Sequence, residues 1–156
     1  MDKLNVNVTA PIYPIWEKYN NCYAYALGID ENGVFNPGFK ADIPFNGKNN
    51  EEIISCVEKD FEALGFDYCE ISPNEVINPD ESKIAIFSVP TQDGKGIEDF
   101  HFVKQDKTGV WSSKEGYDYP PMFLNGFDPI TSKIPYYCDG YSTNYKYIKT
   151  YKIKKG

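Results

Sequence analysis

A chain of 156 residues, 41% of them hydrophobic and 25% charged, has the length of one domain and a globular composition, which excludes an intrinsically disordered protein. The net charge is −7, from 16 basic against 23 acidic residues, and every basic residue is lysine, so no guanidinium fork exists to grip phosphate or guanine and nucleic acid is not an expected partner. No stretch approaches the roughly 20 apolar residues of a membrane span, and the first ten residues lack the basic start and apolar run of a signal peptide. The expectation is a single domain over 1–156 in the cytoplasm, without a membrane span, acting outside a cell or in a host only through non-classical release.

Along the chain, Pro11 and Pro14 precede Asn20 and Asn21, which stand where a helix N-cap belongs. The run Cys22–Leu27, closed by Gly28, predicts a short helix that begins at a cysteine, with Ala24 and Ala26 small enough to lie close against a sheet. Residues 29–48, rich in Gly, Pro and Asn, predict a long loop beside a substrate groove. Over 51–64, Ile53, Val57, Phe61 and Leu64 recur on one face, acidic residues fill the first turn and Gly65 follows, which predicts a second helix flanked by a buried Cys56. Strands are predicted over 83–89, 100–105 and 110–114, the last two joined by a hairpin at 106–109, with further short strands over 121–124 and 145–153. The five lysines of 145–156 alternate with Tyr147, Ile148, Tyr151 and Ile153 as in a solvated edge strand. Helices first and an antiparallel sheet after give an α+β order.

Cys22, Cys56, Cys69 and Cys138 show no paired spacing and one histidine is present, so neither a metal nor a cofactor is expected, and no disulfide is required. A thiol becomes a nucleophile when its pKa falls from about 8.5, as it does at a helix N-terminus beside a histidine. Cys22 occupies such a start, and His101 is the one candidate base, set between Phe100 and Phe102 on a strand. The imidazole faces opposite the two phenylalanines. If these pack into one layer, it faces the helix of Cys22; which face is which stays open at this point. The backbone N–H of Cys22 is a natural oxyanion donor, with Tyr19, Asn20 and Asn21 open as side-chain donors. Trp16, Trp111 and the 13 tyrosines invite sugar stacking, but aromatics in strands are mostly packing residues.

The segments Asn21-Cys22-Tyr23-Ala24-Tyr25, 83–89, and Asp99-Phe100-His101-Phe102-Val103 followed by Gly109-Val110-Trp111-Ser112-Ser113 resemble the NlpC-type and CHAP cell-wall hydrolases of the papain-like superfamily, closest to a bacterial and phage branch. The resemblance covers the first helix, the strands to Gly116 and the Asp128-Pro129 turn, and is weak over 29–49 and the tail. It implies a papain-like fold with N-terminal helices packed on an antiparallel sheet. It also implies hydrolysis of peptide or amide bonds, in a cell-wall peptide, peptidoglycan or a protein, through a Cys22 thioester with His101 as general base. In that branch a histidine stands where this chain has Ser113, and a proline where it has Glu115. Ser113 is then the expected orienting residue, although a hydroxyl carries no charge to stabilise imidazolium; Glu115, Asp99 and Gln105 are local substitutes. The same dyad serves deamidation or acyl transfer. An enzyme of this kind is expected to have Cys22 alkylated selectively near neutral pH. The alternative is a catalytically silent, acidic binding or inhibitory protein that retains the fold.

Overall fold

The structure, a computed structural model, describes residues 7–11, 19–116, 119–136, 140–142 and 144–155; Pro14, Trp16 and Cys138 lie outside the described residues. In chain order the elements are β1 (Asn7–Pro11), α1 (Cys22–Leu27), α2 (Asn50–Ala63), β2 (Asp67–Ile71), β3 (Ser82–Pro90), β4 (Ile97–Gln105), β5 (Trp111–Lys114), β6 (Pro121–Asn125), β7 (Ile134–Tyr136), β8 (Gly140–Ser142) and β9 (Lys146–Lys154). The architecture is α+β. Seven strands form one antiparallel sheet in the order β1-β6-β5-β4-β3-β9-β2, and β7 and β8 form a separate ribbon.

The helices end where their sequence says they should. Asn49 caps α2 by accepting the Glu52 N–H at 2.8 Å, while the Glu52 carboxylate takes the N–H groups of Asn46 and Lys48 at 2.8 and 2.7 Å. Ile53, Val57 and Phe61 are fully buried, as their spacing predicts. They join Tyr23, Ala26 and Leu27 of α1 over the sheet face made by Ile84, Ile86, Phe102, Tyr151 and Ile153. The opposite face carries a second core of Ala85, Phe87, Val103, Trp111, Met122 and Leu124 under Phe127, Ile134 and Tyr145. Because β3 is covered on both faces, it reads as an unbroken apolar run rather than an alternating one.

One expectation is corrected here, and one question that the sequence leaves open is answered. The tail strand β9 is not an edge: it lies between β3 and β2, and Lys149, Lys152 and Lys154 meet Glu70, Glu81 and Asp80 at 3.4, 3.8 and 3.2 Å. The edges are β1 and β2. The open question is which face of β4 carries His101, and its register against β3 runs unbroken from Lys83↔Gln105 to Val89↔Asp99. Paired residues share a face, so Phe100 and Phe102 turn toward the helices with Ile86 and Ser88, and His101 turns away with Phe87.

Candidate functional site

The start of α1 is fixed from three sides. Asn21 is the N-cap, its Oδ1 accepting the Ala24 N–H at 3.2 Å, and Gly28 ends the helix at φ 74°, a conformation that costs glycine little. The Asn21 and Asn20 amides donate to the carbonyls of Phe35 and Ile29 at 2.7 and 2.8 Å, which folds the loop after α1 back over its start. On the α2 side, the fully buried Asp60 carboxylate accepts the Tyr23 hydroxyl at 2.6 Å and the N–H groups of Gly38, Lys40 and Ala41 at 2.7, 3.0 and 2.9 Å. Four donors replace the water that this carboxylate loses. The residue after Cys22 and the loop over 38–41 are thus tied to one anchor.

The third side is the sheet. β4 pairs with β3 along almost its whole length but with β5 only at Lys104↔Ser112 and Gln105↔Trp111. Toward the start of β4 the two strands part, and the N-terminus of α1 fills the opening. Tyr25 bonds Ser112 through their hydroxyls at 2.6 Å, the Lys104 ammonium lies 4.2 Å from the Tyr25 ring centroid, and the buried Lys114 ammonium donates to the carbonyls of Asn20 and Gly116. The sulfur of Cys22 faces the backbone N–H of Phe102, with its own N–H and that of Tyr23 also directed at it.

The structure therefore does not bring the Cys22 and His101 side chains together: they lie on opposite faces of β4, linked only in that the Phe102 amide that acts on the sulfur belongs to the residue after His101. The groups that favour the thiolate of Cys22 are backbone amides, not the imidazole. The phenylalanine pair, rather than the imidazole, packs against α1. His101 is buried, edge-on to Tyr145 with ring centroids 5.8 Å apart, and the Tyr145 hydroxyl donates to the Asp99 carboxylate. Ser113 is fully buried opposite Met122, on the face that carries His101, and its Oγ has no hydrogen-bond partner among the described residues. Of the local substitutes, Asp99 shares the imidazole's face, whereas the Gln105 amide is spent on the Gly109 carbonyl at 2.9 Å.

Burial dominates the site's electrostatics. It pushes the Cys22 thiol up to about 12, with Asp99 adding to the rise and the Phe102, Tyr23 and Cys22 amides opposing it. It pushes the His101 imidazole down to about 4. At neutral pH both groups are uncharged, which is not the thiolate–imidazolium pair that selective alkylation of Cys22 needs; of the described cysteines, Cys69 is the exposed one. Three backbone amides converge near the sulfur, while the side-chain amides of Asn20 and Asn21 are committed elsewhere, so neither serves as an oxyanion donor in this arrangement. Asp60, Lys114 and Tyr145 are the supporting residues that the sequence does not single out. Among the described residues no cluster of histidine, cysteine or carboxylate side chains is arranged to hold a metal, and no helix is long and apolar enough to cross a membrane.

Residues 13–146 match a family described as Domain of unknown function (DUF7689). No curated protein and no solved structure matches the chain.

Proposed function

Since the chain belongs to the DUF7689 family, whose function is unknown, we propose its activity from the site itself: a cysteine-dependent hydrolase of peptide or amide bonds, papain-like and NlpC-type in architecture, with Cys22 as nucleophile and His101 as general base. The observation that carries this reading is a cysteine at the Asn21-capped start of α1, where the amides of Cys22, Tyr23 and Phe102, the last of them next to the chain's single histidine, oppose the effect of burial on its thiol. Such amides suit the oxyanion of a tetrahedral intermediate, which needs donors that are already in place.

In this scheme the resting pair is neutral, as it is for a serine nucleophile and its histidine. The thiol proton passes to His101 as sulfur attacks the carbonyl. The imidazolium returns it to the leaving amine, and water, deprotonated by the same ring, cleaves the thioester. The scheme requires the ring to reach the sulfur through the opening between β4 and β5. Ser113, on the same sheet face, is the counterpart of an orienting residue, although its strand partner is Met122 on β6 and the pairing of β4 with β5 ends one residue before it. The proposed substrates are a cell-wall peptide, peptidoglycan or a protein.

The burial of both groups favours a second reading, a catalytically silent acidic protein that keeps this fold and acts by binding. Cross-linked peptidoglycan fragments and a denatured protein, each incubated with the wild type, Cys22→Ala and His101→Gln, distinguish the two. The hydrolase reading predicts product release that falls at least about 100-fold in both variants while their circular dichroism is unchanged. Wild-type release no faster than that of Cys22→Ala leaves the silent reading.

A further inference from the structure

The face of the sheet away from the helices carries a cavity of about 530 Å³, within the range of small-molecule sites. Its floor follows from the strand register. Lys83 on β3 is opposite Gln105 on β4, Gln105 is opposite Trp111 on β5, and Trp111 is opposite Leu124 on β6, so the four side chains form one row across four strands. Phe127 flanks the row, its ring centroid 6.1 Å from that of Trp111, and the segment from Pro73 to Pro79 forms the wall.

Lys83 is the unusual member of the row, because it is 4% exposed and yet among the described residues no carboxylate lies within ion-pair distance of it. The more exposed lysines of the adjoining strand, Lys149, Lys152 and Lys154, each face one. The Lys83 ammonium donates to the Pro73 carbonyl at 2.7 Å and lies 6.0 Å from the Trp111 ring centroid. Those contacts use one of its three N–H donors and a ring face. Burying a cation without an anion is costly, and burial accordingly holds this lysine below its ordinary pKa range, with Glu75 pulling the other way. A purely structural lysine at this position has a simpler replacement, an apolar side chain that would fill the same space without the charge.

We propose that this cavity binds a small monocarboxylic acid, its carboxylate on the Lys83 ammonium and its apolar body against Trp111, Leu124 and Phe127. One ammonium matches one negative charge. Glu75 and Asp106 at the lining outweigh the exposed Lys107 there and leave Lys83 as the one buried lysine of the lining, which disfavours a dianion such as a phosphate monoester. The site stands on the sheet face opposite α1 and does not depend on the chemistry proposed for Cys22.

The test is a titration of the full chain with 3-phenylpropionate and, separately, with its neutral isostere 3-phenylpropionamide, followed by calorimetry and by the indole N–H resonance of Trp111. The expected result is that the acid binds at least about tenfold more tightly than the amide and shifts the Trp111 resonance, and that Lys83→Met abolishes the preference for the acid. Equal affinity of the wild type for acid and amide, binding of neither, or a Lys83→Met protein that keeps the preference overturns the proposal. The wild-type comparison decides the question even if the variant fails to fold.

Discussion

Burial holds His101 uncharged, and that has a cost that depends on pH. In the unfolded chain the ring takes up a proton below its ordinary pKa of 6.5, whereas in the folded protein it does so only near 4. Between those values the unfolded state binds more protons, so stability falls as pH drops through this window and is regained as pH rises through it. The shift corresponds to about 3 kcal/mol. Urea unfolding at pH 7 and pH 4 should show that loss in the wild type and a smaller one in His101→Gln, because the carboxylates still titrate. The same burial governs the thiols. Iodoacetamide at pH 7 should modify the exposed Cys69 well before Cys22, as peptide mapping would show, and the order should reverse only if Cys22 is a thiolate at rest.

At the scale of elements, the site depends on how α1 is clamped between α2 and the diverging strands. Asp60→Ala removes the acceptor of four donors at once and should destabilise the protein by about 3 kcal/mol or more in urea unfolding, whereas Tyr23→Phe, which removes one of those donors, should cost about 1 to 2 kcal/mol. Equal effects of the two would mean that the loop over 38–41 does not depend on this carboxylate. Much of this arrangement was legible in the sequence: Asn21 and Gly28 bracket α1, the apolar spacing marks α2, and apolar runs mark β3 to β5. Asp60 was not singled out, although it falls at the spacing of Val57 and Leu64 on the buried stripe of α2, where an acidic residue is out of place. The edge strand β2 was not legible, because Asp67, Cys69 and Glu70 are exposed and supply no apolar alternation. Nor was the parting of β4 from β5. The hairpin at 106–109 sets where pairing begins, but where it stops depends on α1 filling the space, a tertiary effect that no local pattern records.

For the whole molecule, the sheet separates two environments: a helix-covered face with the Cys22 thiol at its margin, and an opposite face with His101, Ser113 and the cavity over Lys83 and Trp111. Residue types alone brought Cys22 and His101 into one hypothesis; which side of the sheet each approaches from is fixed by register, and a single-residue slip would have exchanged the faces of His101 and Phe102. Cys22 and the cavity lie on different faces, so Cys22→Ala should leave 3-phenylpropionate affinity unchanged in calorimetry, within the additivity expected of separate sites. The central claim, that Cys22 attacks a carbonyl, is tested most directly by intact-mass spectrometry of the protein quenched in acid during turnover of a peptide ester. The account predicts an acyl adduct that maps to the peptide containing Cys22 and does not form in Cys22→Ala. An unmodified wild-type protein, or an adduct that persists in Cys22→Ala, contradicts it.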